Sequence, residues 1–496
     1  MTNPITQAGL ITRTPVRLAS DPARVIATLF MPGEEMPDDH SRATAVIDRA
    51  LALTDEQVAA TLADVTGRFA GRHRRLDDIF QRHFEVVASR LGPGVQPSAD
   101  RRLLIGAYFT HEQSPEGAAL TNPSIVEHPD QSGLSPGELR FVLSARAIGE
   151  GHVSCLEFRT GVVGSDLEVR IDKPGGLLVA GRPQPTVYER DAFRAQLAEL
   201  GSDDETAHLV LDGLGPRFDK AALDQAVARL DRHVLSRKAA RETVRRLAWI
   251  AANNYEVAFP EETAIDERVL VPTGPTEGHG IEDARFVRFV DDDGTVTYYA
   301  TYTAYDGSKV VPQLLATEDF RTFRAHQLSG PAAKNKGMAL FPRRIGGRYA
   351  SLSRWDRESS SLAMSDNRWA WGPATTIQKP RYPWELSGIG NCGSPIETSA
   401  GWLVLTHGVG PMRTYAIGAA LFDLEDPRRL IATLPEPLIF PASDEREGYV
   451  PNVIYSCGAL VHGEALVLPY GFGDRAIGIA LVDLPLLLDQ LRSSGR

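Results

Sequence analysis

The chain has 496 residues, 43% hydrophobic and 24% charged, which is an ordinary globular composition and allows about two to four domains. Its 53 Lys and Arg residues against 64 Asp and Glu residues give a net charge of −11, which disfavours general binding to nucleic acid or to an anionic membrane. We expect no membrane span and no secretory signal, because the sequence lacks a long apolar run and a charged start followed by an apolar segment. Three scattered cysteines offer no disulfide framework and no zinc motif, so we expect a cytoplasmic protein without a bound metal.

Two parts of the chain show the spacing of amphipathic helices. Within the first 100 residues, one helix face is formed by Val58, Leu62, Val65 and Phe69. Thr54 followed by Gln57 predicts a capping box at the start of that helix. Within residues 186–260, a second face is formed by Leu223, Val227, Leu230 and Val234. These faces must pack against the rest of the chain or against another subunit, so a monomer and a homo-oligomer both stay open.

Between and after the helical parts, five segments repeat one pattern of a turn, a strand-like run and polar residues at its end. They are GELRFVLSARAIGEG, GTVTYYATYTAYDG, GRYASLSRWD, GWLVLTHGVG and GEALVLPYGFGD, and each is followed by a second apolar strand. Repeats of this kind predict a mainly β fold, a five-bladed β-propeller with N-terminal and inserted helical segments, and a β-sandwich is the alternative. The expected divisions are an N-terminal extension (1–100), a first blade region (101–185), a helical insertion (186–260) and the remaining blades (261–496).

The polar residues at the ends of these strands are candidates for one shared pocket. In a propeller they would converge on the central cavity, which is the usual anatomy of a small-molecule site. They are Arg146, Tyr305 with Asp306, Arg354, His407 and Asp474.

Two further stretches carry candidate chemistry. In TEGHGIEDARF, Glu282 and Asp283 are adjacent carboxylates, and enclosure in a pocket could raise the pKa of a carboxyl group enough for it to donate a proton. In KNKGMALFPRRIGGRYASLSRWD, a hairpin at Ile345–Gly347 would bring the strands beside Lys336 and Arg354 together. Converging cations in an acidic protein indicate an anionic ligand, and phosphate suits the geometry of arginine.

The combination of these segments resembles glycoside hydrolase family 130, the family of β-mannoside phosphorylases and related β-mannosidases. The matching pieces include TNPSIV, LSARAIG, GIEDARF, KGMALFPRRIGGRYASLSR, GNCGSPIETSAGWLVLTHGV, GYVPNVIYSCGA and YGFGDRAIGIA. The sequence departs from the usual motif at Ala284, where the family has a proline between the acidic pair and the arginine.

The resemblance implies an inverting phosphorylase that uses inorganic phosphate as co-substrate, needs no other cofactor and releases mannose 1-phosphate from a terminal β-mannoside. It implies that Asp283 is the general acid, which acts through a hydroxyl of the sugar. The implied phosphate-binding residues are Arg146, Lys336, Arg354, His407 and Tyr415. The implied sugar-binding residues are Asn122, Tyr305, Asp306 and Asp474.

Two other functions stay open from the sequence. The first is an inverting β-mannosidase, in which a carboxylate would activate water, and the candidate bases are Glu282, Glu385 and Asp356. The second is a sugar-binding propeller without catalysis. The presence of Asp283 together with three cations favours phosphorolysis over both.

Overall fold

The structure is a computed structural model that describes residues 9–32 and 41–494. The chain is mainly β, with ten α-helices in the described part. Four helices lie near the N-terminus: Arg42–Ala52, Asp55–Phe69, Leu76–Val87 and Ala99–Tyr108. Five lie between two groups of strands: Arg190–Glu199, Glu205–Leu211, Lys220–Ala228, Arg232–Ser236 and Lys238–Asn253. The tenth is Leu484–Ser494.

Five antiparallel units of four strands each make up most of the fold, and we number them 1 to 5. Unit 1 contains Ala119–Glu127, Leu139–Ile148, Ser154–Val163 and Val169–Ile171. Unit 2 contains Gly280–Val290, Val296–Tyr305, Val310–Thr317 and Thr322–Gln327. Unit 3 contains Ala339–Leu340, Tyr349–Ser353, Ser360–Ser365 and Thr375–Gln378. Unit 4 contains Ile389–Asn391, Gly401–Val409, Tyr415–Phe422 and Leu430–Thr433. Unit 5 contains Ile454–Tyr455, Ala465–Phe472, Ala476–Asp483 and the N-terminal strand Ile11–Ala19.

Shorter strands extend or connect these units. Ile396–Thr398 and Leu460–His462 pair with the second strands of units 4 and 5. Tyr255–Ala258 lengthens unit 2 and in turn pairs with Arg182–Gln184. Arg268–Leu270 pairs with unit 1 and with Val179–Ala180. Two separate ribbons join Ile26–Leu29 to Thr110–Gln113 and Val187–Glu189 to Arg217–Asp219.

The five predicted strand pairs are confirmed, since each repeated segment is the second strand of a unit and pairs with the strand that follows it. The predicted hairpin is also present: Ile345 bridges to Arg348, and Leu340 pairs with Ser351. The capping box of Thr54 and Gln57 opens the helix Asp55–Phe69 as expected. The predicted face from Leu223 to Val234 is wrong as a single helix, because the chain leaves the helix after Ala228 and starts a new one at Arg232.

The hydrophobic core lies between neighbouring units. Phe158 of unit 1 packs with Phe286 of unit 2, and Tyr299 of unit 2 packs with Ala363 of unit 3. Trp402 of unit 4 packs with unit 3 in one cluster, while other residues of unit 4 pack with unit 5 in a second. Ile477 of unit 5 packs back against unit 1. The shared clusters therefore connect the units in a ring, from unit 1 through unit 5 and back to unit 1.

Within the described residues, we find no helix long and apolar enough to span a bilayer.

Candidate active site

Asp283 and Asn122 lie side by side on the first strands of units 2 and 1. Each sits at an irregularity of its strand, where the register shifts and the residue takes a left-handed conformation, with φ of 56° for Asp283 and 47° for Asn122. This conformation turns a side chain out of the regular alternation of the strand, and Asn and Asp tolerate it better than most residues. Asn122 Nδ2 donates a hydrogen bond of 2.6 Å to Asp283 Oδ1, and both residues are 8% exposed. The strand irregularities thus create a buried, hydrogen-bonded carboxylate.

Two of the predicted phosphate-binding cations meet next to this carboxylate. Arg146 Nη2 lies 2.6 Å from Glu282 Oε1, and Lys336 Nζ binds the other oxygen, Glu282 Oε2. Arg146 Nη1 is also 3.7 Å from Asp283 Oδ1. Residues from units 1, 2 and the start of unit 3 therefore form one charged cluster, with an anionic group held between two cations.

Arg354 adds a third cation on the neighbouring side. It lines the same cavity of about 330 Å³ as Lys336. Its side chain passes directly over Gly390, where an added Cβ would lie 2.2 Å from Arg354 Cδ, so only glycine leaves it this path. Its Nε donates to the carbonyl of Ile389 at 3.1 Å and its Nη2 donates to the carbonyl of Arg357 at 3.0 Å. Arg354 thus faces the cavity beside Lys336 and has no carboxylate partner in the described contacts.

His407 and Tyr415 lie side by side in unit 4. Their rings are stacked, 6.1 Å apart and 9° from parallel, and the ring of Tyr455 lies 4.8 Å from His407. Burial lowers the pKa of His407 well below its usual value, and the charges of Arg354 and Arg285 lower it further. His407 is therefore a neutral hydrogen-bonding group at pH 7 and adds no positive charge to the site.

Asp474 completes the cluster from the turn after the second strand of unit 5. It also has a left-handed conformation, with φ of 49°. Burial raises its pKa, and the charge of Asp283 raises it further, while Arg146 and Arg413 oppose this. Asp474 therefore lies close enough to Asp283 for the two carboxyl groups to interact electrostatically.

Tyr305 and Asp306 make hydrogen bonds within their own turn. Asp306 Oδ1 accepts hydrogen bonds from the backbone of Ser308 and Lys309, and Tyr305 Oη donates to the carbonyl of Gly307. These bonds close the hairpin between two strands of unit 2, so both polar groups are engaged in their own turn. The described contacts give no support to a sugar-binding role for either residue.

Three residues of the cluster were not assigned to the site from the sequence. Glu282 was considered only as a base, whereas it is the partner of both Arg146 and Lys336. Buried Arg285 donates to the carbonyl of Asp283 at 3.0 Å and to Tyr455 Oη at 2.8 Å. Arg285 and Tyr455 lie in GIEDARF and GYVPNVIYSCGA, so the segments were visible, but only the folded ring shows that they meet.

The expected raised pKa of Asp283 is wrong for the protein without ligand. Burial raises the pKa of Asp283, but the charges of Arg146, Lys336 and Arg285 and the hydrogen bond from Asn122 outweigh it, and the pKa is lowered. The carboxyl group is consequently ionised at neutral pH until the charge around it changes.

The three carboxylates considered as bases for hydrolysis already have bonding partners. Glu282 binds two cations. Glu385 Oε1 accepts hydrogen bonds from the backbone amides of Arg381 and Tyr382. Asp356 Oδ1 accepts a hydrogen bond from the backbone amide of Ser359. Each of the three thus has at least one bonded oxygen, but Glu385 Oε2 is buried without a hydrogen-bond partner in the described contacts.

The chain is similar to known proteins, and the family match covers its second half. Residues 251–493 match the family Glyco_hydro_130, described as beta-1,4-mannooligosaccharide phosphorylase. The 1,2-beta-oligomannan phosphorylase of Thermoanaerobacter sp. (strain X514) is 32% identical over 229 residues, which are 44% of this chain and 74% of the relative. The chain belongs to glycoside hydrolase family 130.

A second relative and a solved structure are also similar to the chain. A beta-1,2-mannobiose phosphorylase of the same organism is 34% identical over 224 residues, covering 44% of this chain and 72% of the relative. The solved structure of a beta-1,2-mannobiose phosphorylase from Listeria innocua covers 76% of this chain and 92% of its own, with 21% identity and a TM-score of 0.45. The family match contains Asp283, Lys336, Arg354 and His407, whereas Asn122 and Arg146 precede it.

Proposed function

We propose that the protein is an inverting glycoside phosphorylase that cleaves a terminal β-mannoside with inorganic phosphate and forms mannose 1-phosphate. The observation that carries this proposal is the meeting of Arg146 and Lys336 on one anionic group beside Asp283, with Arg354 in the adjoining cavity. Two cations that already hold a carboxylate between them are arranged to bind a second oxyanion, and arginine suits phosphate in particular.

The named relatives support the same reaction class. They are phosphorylases of 1,2-beta-oligomannan, of beta-1,2-mannobiose and of beta-1,4-mannooligosaccharides. Because these names include both 1,2 and 1,4 linkages, we propose a β-mannoside as substrate and leave the linkage to experiment.

In the proposed reaction, a phosphate oxygen attacks the anomeric carbon on the face opposite the leaving oxygen. The new carbon–oxygen bond to phosphate forms as the glycosidic bond breaks, and the leaving oxygen receives a proton that originates on Asp283 and passes through a sugar hydroxyl. Attack on the opposite face converts the β-mannoside into α-mannose 1-phosphate. Asn122 would hold Asp283 in place, and Asp474 would accept hydrogen bonds from the mannosyl hydroxyls.

Phosphate itself would prepare Asp283 for this role. The pKa of Asp283 is lowered in the free protein, against the effect of burial, because Arg146, Lys336 and Arg285 surround it with positive charge. A bound phosphate offsets that positive charge, so the pKa of Asp283 should rise when phosphate binds. The proton donor would then form mainly in the complex that is ready to react.

We also propose that units 1 to 5 are the blades of a five-bladed propeller around the site. The proposal is supported by the cyclic packing of the units and by strand Ile11–Ala19, which closes unit 5 against the C-terminal strand Ala476–Asp483. The remaining divisions would be the N-terminal extension (1–100) and the helical insertion (186–260), with blades in 101–185 and 261–496.

The test is incubation of the purified protein with β-1,2- and β-1,4-mannobiose, with and without inorganic phosphate. We expect mannose 1-phosphate and mannose in equal amounts from at least one of the two disaccharides, and only when phosphate is present. Equal release of free mannose in both conditions would identify a hydrolase, and sugar binding without turnover would identify a non-catalytic protein; either result contradicts the proposal.

A further inference from the structure

The cavity that contains Lys336 and Arg354 has a strongly cationic lining. Its volume is about 330 Å³, and its described lining residues are three cations, one asparagine and one valine: Lys336, Arg354, Arg357, Asn335 and Val310. None of these residues is acidic, although the whole protein has a net charge of −11. A concave space lined in this way attracts anions, and Arg357 has so far been given no role in the site.

This cavity adjoins the charged cluster around Asp283 but is not the same space. Neither Asp283 nor Arg146 is among the residues that line it. Lys336 belongs to both, because it lines the cavity and also binds Glu282, the carboxylate that contacts Arg146. An anion in the cavity would therefore lie on the other side of Lys336 from the proposed proton donor.

Arg357 is held at the cavity by its own turn and by Asn335. Its backbone amide donates to the carbonyl of Arg354 at 3.0 Å, and Arg354 Nη2 donates to the carbonyl of Arg357 at 3.0 Å. Arg357 Nε donates to Asn335 Oδ1 at 2.9 Å, and Asn335 Nδ2 donates to the carbonyl of Trp355. In the described contacts, neither Nη group of Arg357 has a hydrogen-bond or ion-pair partner. The guanidinium group is thus oriented, with its terminal donors available to a ligand.

The backbone around Arg357 is strained, and the nearby acidic residue does not neutralise it. Asn335 and Arg357 have left-handed conformations, with φ of 61° and 68°. Such conformations are unfavourable for residues other than glycine and are concentrated at sites that bind ligands. Asp356 is the adjacent carboxylate, and its Oδ1 accepts hydrogen bonds from the backbone amides of Glu358 and Ser359. The turn therefore presents a cation to the cavity.

We propose that this cavity is an outer phosphate subsite, in which Arg357 joins Lys336 and Arg354 to bind the second phosphate group of a diphosphate. The inference rests on the proposed function, because the first phosphate group would occupy the inner position beside Arg146. Inorganic pyrophosphate is the simplest ligand of this class, with two phosphate groups joined by one oxygen. Guanidinium and ammonium groups both bind phosphate oxygens, and Lys336 and Arg354 would contact both phosphate groups.

The test compares orthophosphate with pyrophosphate as ligands of the wild type and of two Arg357 variants. Binding is measured by calorimetry without sugar. We expect the wild type to bind pyrophosphate more tightly than orthophosphate. Arg357→Gln should weaken pyrophosphate about fivefold, since Arg357 is exposed and solvent screens its charge, and should weaken orthophosphate by less than about twofold. Arg357→Gly should show the same loss while folding at least as stably, because glycine suits the left-handed conformation.

Asn335 is a positioning residue in this account, and a double substitution tests that role. Asn335→Ala should weaken pyrophosphate binding in the wild type and add little in Arg357→Gln, because Asn335 acts through the guanidinium group. Arg49→Gln is the matched control, since Arg49 is an exposed arginine on the helix Arg42–Ala52, and it should change neither ligand.

The binding comparison separates the outer subsite from the proposed reaction. The inference is overturned if the wild type binds pyrophosphate no more tightly than orthophosphate, or if Arg357→Gln affects both ligands equally or neither. If the expected binding pattern is found but the wild type makes no mannose 1-phosphate, the proposed function fails and the outer subsite stands. If both hold, pyrophosphate should inhibit phosphorolysis competitively with phosphate, and less strongly in Arg357→Gln.

Discussion

Replacing Lys336 with methionine is the most informative single perturbation of the proposed phosphate site. Lys336→Met keeps the length of the side chain and removes the charge that binds Glu282 Oε2. A hydrogen bond between charged groups contributes about 1.5–3 kcal/mol, which corresponds to a change of about 10- to 100-fold in affinity. The Lys336 side chain is 43% exposed, and solvent screens such contacts, so we expect an increase of about tenfold in the KM for phosphate.

The effect of Arg146→Met on the KM for phosphate can be compared with that of Lys336→Met. The Arg146 side chain is only 19% exposed, and it contacts both Glu282 and Asp283. Its removal should therefore raise the KM for phosphate more than Lys336→Met does, by about 30- to 100-fold, and should also lower kcat because it alters the charge beside the proposed acid.

The assay measures the initial rate of mannose 1-phosphate formation. Phosphate is varied first at saturating mannobiose, and mannobiose is then varied at saturating phosphate. Lys334→Met is the matched control, since Lys334 lines a different cavity beside Gly330 and Trp371. The reasoning is refuted if Lys336→Met raises the KM for mannobiose as much as that for phosphate, or if Lys334→Met has the same effect.

Three further predictions concern other parts of the site. Asp283→Asn should retain the fold and phosphate binding but lower kcat by about 10²–10⁴-fold, as measured by turnover and circular dichroism. Gly390→Ala should shift Arg354 and raise the KM for phosphate several-fold, and it should also lower the melting temperature, because the added Cβ would lie 2.9 Å from the buried ring of His407. The pKa of His407 lies below that of the unfolded chain, so the unfolded state binds more protons and stability should fall below about pH 6.5, by at most about 1.4 kcal/mol per pH unit. Urea unfolding at pH 7 and pH 5 should show a smaller loss for His407→Gln than for the wild type.

The local features of the fold could be predicted from the sequence. Alternation of apolar residues within each repeat specified the five central strand pairs, because the side-chain period of a strand is visible in a short window. The cap at Thr54 and the hairpin at Ile345 were predicted for the same reason, since both depend on residues only a few positions apart.

Features that depend on distant pairing could not be predicted in this way. Strand Ile11–Ala19 completes unit 5 by pairing with Ala476–Asp483, and nothing in either segment alone specifies the other. The continuous helix expected through Leu230 is interrupted instead, because a regular apolar spacing does not exclude a turn between two helices.

The candidate site could also be predicted only in part from the sequence. The sequence identified Asp283, Arg146 and Lys336 as residues suited to the chemistry. The fold brings Arg146 to Asp283 and brings both cations to Glu282. The sequence could not show that Glu282 holds both cations, or that the side chain of Asp306 is taken up by its own turn. The left-handed conformations of Asn122, Asp283 and Asp474 likewise depend on the neighbouring strands.

A crystal structure of the protein with bound inorganic phosphate tests the central claim most directly. We predict one phosphate whose oxygens lie within hydrogen-bond distance of Arg146, Lys336 and Arg354, on the open side of the Asp283 carboxyl group. A phosphate bound elsewhere while both cations stay on Glu282, or a site that remains empty at saturating phosphate, would contradict the account.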